Sequence, residues 1–476
     1  MRNILKRAGY CLLAACLIFS GWKFHSPYLF KIRAYLPVAA LLLGTLSSFS
    51  LWRRSRRSLG TLRAFDRGLI LLLTIGACLS MIQDLRGVHM KKEVLNADPA
   101  LLRKLGRHFV VGYSDIEELK SLVSHGAIGG VFITSRNIRG KSALEVKEEI
   151  DALQEIQAKL GLPPLWIATD QEGGIVSKLS PLVRTQPSLG EVVANPAPTP
   201  LSLREQVQGF ARSQAEDLRS LGVNLNFSPV VDLKPLGPRS RGDLHTRIDL
   251  RAISSDPETV AEVALEYCGT LKAEGVMPTL KHFPGLASVK IDTHLSLGFA
   301  SRSLSELQQS DWRPFQKVLA NTDAFLMLGH VMVPELDSEF PASLSRKLVQ
   351  KTLRRDWGYR GVLITDDFSM GPIVAGKGGV GAATLQALNA GVDLLLISYD
   401  SDLYYPAMLS LMAAEGKGQV AEGFLELSEA RLALASGLIK KSDSHHQVAN
   451  ILAKEIEFTG HRIQDAKFLQ NLENHL

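Results

Sequence analysis

Cysteine is scarce in this chain of 476 residues. There are four, Cys11, Cys16, Cys78 and Cys268, and no CxxC pair. That pattern excludes a disulfide framework and a cysteine zinc site. HxxxH, HxH and HExxH are absent too. His282, His294 and His330 with the nearby aspartates therefore make a poor metal set, and no metal or organic cofactor is expected. Acidic residues are almost missing from positions 1–92, which hold two Asp/Glu against fifteen Lys/Arg, a balance of +13. The rest carries 46 acidic and 39 basic residues, or −7, so the net charge of +6 does not describe the main body. A mildly acidic body argues against a nucleic-acid groove. Apolar content is not lacking: 46% is ample for a core and argues against global disorder.

Three apolar runs occupy the N-terminal region, 8–22, 35–52 and 68–82. Each approaches the ~20 residues of a bilayer span. The middle run is the strongest candidate, and the other two also suit interfacial or signal segments. Arg53, Arg54, Arg56, Arg57, Arg63 and Arg67 crowd the stretch between the second and third runs. A short arginine-rich loop stays cytoplasmic, which places everything after the third run outside. Lys23, Lys31 and Arg33 in the first loop weaken the bias. Leu13-Ala14-Ala15-Cys16 offers a lipoprotein-signal alternative, although the apolar run continues past the cysteine. The expected division is 1–95 as a transmembrane region, 96–440 as the body and 441–476 as a polar tail or last helix.

From His108 onward, eight short apolar runs recur: "HFVVGY", "GGVFIT", "PLWIATD", "LNFSPVVD", "MPTLKHF", "AFLMLGH", "GVLITD" and "VDLLLIS". Continuous rather than alternating apolar character suits parallel strands buried on both faces. Helix signals lie between them. Asp256-Pro257 supplies an N-cap and N1 proline, Val260, Val263, Ala264, Tyr267 and Leu271 follow at helical spacing, and Gly275 closes the turn. Val207, Ala211, Leu218 and Leu221 mark another helical face before Gly222. The pattern predicts an α/β fold with a (β/α)₈ TIM-type barrel. A doubly wound open sheet is the alternative, but no G-x-G-x-x-G follows the first run.

In such a barrel the chemistry sits where strands end. The run ends hold Asp170, Asp232, Lys281-His282, His330, Asp366-Asp367 and Asp400. Paired carboxylates suggest glycosidic cleavage. Asp366 is the candidate nucleophile, with an N-cap as the bland alternative. Asp367 is expected to point elsewhere. In "KIDTH", Asp292 and His294 form a candidate acid/base dyad, the carboxylate orienting the imidazole. A solvated surface loop would carry the same spacing.

These stretches resemble glycoside hydrolase family 3, specifically its single-domain β-N-acetylglucosaminidase branch, over about 106–437. The resemblance rests on "KHFPGLASVKIDTH" for the family's K-H-F-P-G-H-G followed by D-S-H, "TDDFSM" for S-D-D-L-S-M, and "DQEGGI" for D-Q-E-G-G-R. It implies Asp366 as a nucleophile that forms a covalent glycosyl-enzyme, His294 as acid/base and Asp292 as its partner. It implies substrate-binding roles for Asp170, Lys281, His282 and, from "RAISSDP", Arg251. Multi-domain β-glucosidases of the family use a Glu from a second domain instead, and residues 441–476 are too few to supply one. There are departures. Ile175 and Lys178 stand where the family has arginines, and Leu286-Ala287 replace His-Gly. Lys178 loses a bidentate fork, the missing glycine should stiffen the dyad loop, and 234–250 is a long segment able to reshape the pocket mouth.

The expectation is a retaining β-N-acetylglucosaminidase in the bacterial cell membrane, with an extracytoplasmic barrel acting on N-acetylglucosamine-containing glycans of peptidoglycan fragments. Its partners would be that carbohydrate and the membrane, with no nucleic acid. The rivals are a phosphorylase of the same family and a glycan-binding protein that has lost turnover.

Overall fold

The computed structural model describes residues 2–22, 24, 29, 32–56, 60–198, 200–237, 243, 245–421 and 423–440. The tail 441–476 lies outside the described residues. The chain divides into two compact units, Met1–Ala97 and Asp98–Leu476.

The first unit holds three helices, α1 Arg2–Trp22, α2 Leu36–Ser55 and α3 Thr61–Leu95. Each reaches beyond the apolar run that announced it, and α3 extends thirteen residues past Ile82. The reason is that helix continuation does not require apolar residues: no proline interrupts 83–95, and polar side chains sustain the helix. Ala14, Leu17, Ala40, Leu51, Leu69 and Leu73 form the shared interior. Arg7 donates from Nε and Nη2 to the two oxygens of the buried Asp66 carboxylate, each at 2.8 Å, joining α1 to the start of α3. Much of the outer surface stays apolar, with Leu12, Leu42, Leu46 and Leu71 exposed.

The second unit is built on eight parallel strands: β1 Phe109–Gly112, β2 Gly130–Phe132, β3 Trp166–Thr169, β4 Leu225–Asn226, β5 Met277–Phe283, β6 Phe325–Leu328, β7 Leu363–Thr365 and β8 Leu395–Ile397. One strand falls within each of the eight apolar runs. The order across the sheet is β7-β6-β5-β4-β3-β2-β1-β8. The two edge strands meet through a parallel bridge, Ile364 to Leu394, so the sheet nearly closes into a barrel. Alternate residues face one interior: Val110, Phe132, Trp166, Ala168, Leu225, Phe227, Met277, Phe325, Met327, Ile364 and Leu396 form a single cluster. Leu432 and Ala435 of the helix Phe424–Lys440 join it.

The connecting helices obey their caps. Asp256 accepts from the Thr259 amide and starts Pro257–Ala273. Ser202 and Glu205 exchange hydrogen bonds as a capping box at the start of Leu203–Ser220. Each strand therefore hands its C-terminal end to a loop on one rim before the next helix leads back.

Candidate active site

Asp366 follows β7 directly. Its amide donates to Leu328 O at 2.9 Å, so β6 and β7 fix its backbone. One carboxylate oxygen accepts from the Asp367 amide at 2.8 Å. The nearby helix Gly371–Val374 is capped at Met370, so Asp366 is not a helix cap. Burial pushes its carboxyl up, but His282, His330 and His294 facing it outweigh that and hold it below the ordinary carboxylate range. It is an ionised carboxylate, which suits attack on an electrophilic carbon.

Asp367 does separate work. Its oxygens accept from the amides of Ser369, Ser398 and Tyr399 and from the Ser398 hydroxyl, stitching the end of β7 to the end of β8. His330, after β6, is fully buried, and burial lowers its pKa. Its Nε2 lies 3.1 Å from Asp367 O and its Nδ1 2.7 Å from Ser343 Oγ. A carbonyl only accepts, so Nε2 carries the proton and Nδ1 accepts from the serine.

Asp292 and His294 lie on the long segment after β5. Asp292 is 3% exposed. Its Oδ1 accepts from both the amide and Nδ1 of His294, each at 3.0 Å. Among the described residues His294 Nε2 has no hydrogen-bond partner, and the side chain is 44% exposed. The Gly371 amide donates to His294 O at 2.8 Å, tying this segment to the one that follows Asp366. That approach needs glycine: a Cβ at 371 would sit 2.3 Å from Leu295 O.

Lys281 is buried at the end of β5. Its ammonium donates to Asp170 Oδ1 at 2.6 Å and meets Glu172 Oε1 at 2.6 Å. Arg251 grips the same Glu172 with Nε and Nη2 at 2.9 and 2.7 Å and donates to Thr246 O from Nη1. Burial would raise the Glu172 carboxyl, yet Arg251 and Lys281 pull it down to about 2. His282 is held by Asp232 Oδ2 through its amide and Nδ1, at 3.1 and 2.7 Å, while Asp232 Oδ1 accepts from the Leu286 amide. Arg251 Nη2 lies 3.4 Å from His282 Nε2.

Asp170, Arg251, Lys281 and His282 are thus joined by direct contacts. Lys178 is tied in only through its backbone, to Asp170 O, and among the described residues its ammonium has no partner. Ile175 is 49% exposed on the same segment. Of the long segment 234–250, residues 238–242 and 244 lie outside the described residues. Three contributors gain no role from the motifs: Glu172, Asp232 and His245. The first two sit in or beside quoted motifs as charged run ends, a weak signal. His245 carries no motif, and only its contact with Asp292 exposes it. No cluster of three or more His, Cys, Asp or Glu suited to a metal occurs among the described residues.

Residues 100–434 match the glycosyl hydrolase family 3 N-terminal domain. The chain is 33% identical to the β-hexosaminidase LpqI of Mycobacterium tuberculosis over 349 residues, covering 71% of this chain and 84% of that one. It is 32% identical to a β-hexosaminidase of Nitrosomonas eutropha over 300 residues, 62% of this chain and 80% of the relative. Among solved structures, M. tuberculosis LpqI superposes with a TM-score of 0.62 at 31% identity, covering 72% of this chain and 97% of that one. A family 3 β-N-acetylglucosaminidase from Paenibacillus sp. FPU-7 gives 0.65 at 28% identity; 72% of this chain matches 63% of that longer one. The match spans more than two thirds of the chain and includes the strands that carry Asp170, Lys281 and Asp366, so this chain belongs to glycosyl hydrolase family 3 and is a glycosidase.

Proposed function

We propose that this glycosidase removes terminal β-linked N-acetylglucosamine, with retention, through a glycosyl-Asp366 intermediate. The observation that carries the reading is the pairing of an ionised Asp366 with an imidazole whose Nδ1 is occupied by Asp292 and whose Nε2 has no partner among the described residues. Asp366 attacks C1 while His294 Nε2–H gives its proton to the leaving oxygen. The neutral imidazole then takes a proton from water, which displaces Asp366. Asp170, Lys281, Arg251 and His282 supply a converging polar wall for the sugar hydroxyls, and Glu172 and Asp232 hold that wall. Lys178, from the mouth, reaches the outer part of the substrate. The names of the β-hexosaminidase and β-N-acetylglucosaminidase relatives support the N-acetyl sugar. Fragments of peptidoglycan, in which that sugar alternates along the chain, are the proposed substrate class.

The same reading anchors the chain in the bacterial cell membrane by α1, α2 and α3. Three helices long and apolar enough to cross a bilayer support it, as do the arginines flanking the α2–α3 turn. That turn would be cytoplasmic and the barrel extracytoplasmic.

The test uses the full-length chain, wild type and His294→Ala, with the 4-nitrophenyl β-N-acetylglucosaminide and β-glucoside. Nitrophenolate needs little acid help, so the variant should release a burst and then stall in deglycosylation. Turnover of the glucoside but not of the N-acetyl sugar would refute the substrate class. Steady turnover by the variant would refute the role of His294. Sugar 1-phosphate appearing when phosphate is added would mark phosphorolysis instead of hydrolysis.

A further inference from the structure

Asp292 does not serve His294 alone. Its second oxygen, Oδ2, accepts from the His245 amide at 2.9 Å and from His245 Nδ1 at 2.6 Å. The two histidines therefore hold the two carboxylate oxygens in the same way, each by its own amide and Nδ1. Their rings lie 5.9 Å apart. Burial would raise the Asp292 carboxyl, but the hydrogen bonds from His294 and His245 keep it well below the usual carboxylate range. A carboxylate only accepts, so both Nδ1 atoms donate and both Nε2 atoms face away from it.

The two imidazoles come from different parts of the fold. His294 lies after β5 and His245 after β4. The residue next to His245, Thr246, offers its carbonyl to Arg251 Nη1, and Arg251 is locked to Glu172. A continuous path of contacts thus runs from His294 through Asp292, His245, Thr246 and Arg251 to Glu172. A carboxylate bonded at one oxygen can swing about its Cα–Cβ–Cγ torsions. Bonded at both, it has one plane, and the imidazole it holds has one orientation.

We propose that His245 is a positioning residue for the acid/base. It fixes the second oxygen of Asp292, binds the dyad segment to the segment after β4, and so aims His294 Nε2 at the leaving oxygen. The proposal rests on the glycosidase reading in which His294 is the acid/base. It also gives the segment 234–250 a role, because that segment delivers the group that completes the dyad.

The test compares wild type, His245→Ala and His245→Asn in the full-length chain, with methyl and 4-nitrophenyl β-N-acetylglucosaminides. His245 is 56% exposed at its side chain, so alanine should fold. The measured quantity is kcat/KM, which reports the step that expels the aglycone. Alanine should lower it about 10- to 100-fold for the methyl glycoside, whose leaving group needs a proton, and several-fold less for the nitrophenyl glycoside. Asparagine places an amide N–H near the position of Nδ1 and should recover most of the loss. Values within twofold of wild type for alanine on both glycosides would overturn the proposal. So would an equal loss on both that asparagine leaves unrelieved, which marks a merely structural residue. A wild-type chain that cleaves neither glycoside would overturn the N-acetylglucosaminidase reading, and this proposal with it.

Discussion

Glu172→Gln isolates the charge at the centre of the polar wall without changing its shape. Glu172 is 5% exposed and is shared by two cations, Arg251 at 2.7 and 2.9 Å and the buried Lys281 at 2.6 Å. With Asp170 the cluster holds two positive and two negative charges, so glutamine leaves one buried positive charge uncompensated. The carboxyl drops from an ordinary 4.5 to about 2 in the fold. At 1.36 kcal/mol for each pH unit, that difference is worth about 3 kcal/mol. Breaking a buried ion pair by removing one partner costs ~3–5 kcal/mol, which is of the same order. For a unit of this length, the unfolding entropy converts ~3 kcal/mol into a fall of about 4 °C in Tm. A depressed carboxyl contributes its full stability above its unfolded value and loses it as pH falls through the folded one. The gap between wild type and variant should therefore be complete at pH 7 and shrink steadily from about pH 4.5 toward pH 2. The assay is thermal unfolding followed by near-ultraviolet circular dichroism over that range. A fall of less than 1 °C at pH 7, or a gap that does not narrow in acid, would show that this charge does not hold the wall together. Misplacement of Lys281 should also cost about 10²-fold in kcat/KM.

Asp366→Asn should lower turnover of the nitrophenyl N-acetylglucosaminide by at least ~10³-fold, and a slow fluorosugar should label wild type at this residue but not the variant, as mass spectrometry would show. Gly371→Ala places a Cβ 2.3 Å from Leu295 O, so the dyad segment must move by more than ~1 Å; about a 10²-fold loss in kcat/KM with the fold retained is expected. Ser343→Ala leaves His330 Nδ1 buried without its donor and should lower stability by ~1–3 kcal/mol in denaturant titration.

The number and order of the strands were legible from the amino-acid pattern alone. Continuous runs such as "GVLITD" and "VDLLLIS" can be buried only between two covered faces, and Asp256-Pro257 or Ser202 mark where the intervening helices start. The pattern also placed the candidate site residues together, because residues that end parallel strands share one rim whatever the loops do: Asp170, Lys281-His282 and Asp366 were legible as rim residues for that reason. The pair Asp292 and His294 was legible because the two are adjacent in sequence and their contact is local. Helix ends in the first unit were less legible, since apolar runs record where a helix is greasy and not where its hydrogen bonding stops.

The pairing of distant side chains was set by the folded chain. Glu172 meets Arg251 across 79 positions, and His282 meets Asp232 across 50. His245 meets Asp292 across 47, from a segment with no motif of its own. Separations of that size leave no periodic trace, because the chain between them is free to vary as long as both ends reach the same rim. Whether a carboxylate is a nucleophile, a strut or an ion-pair partner depends on what surrounds it. Asp366 and Asp367 are neighbours in sequence with opposite roles: one faces three imidazoles and the other is consumed by the backbone at the end of β8.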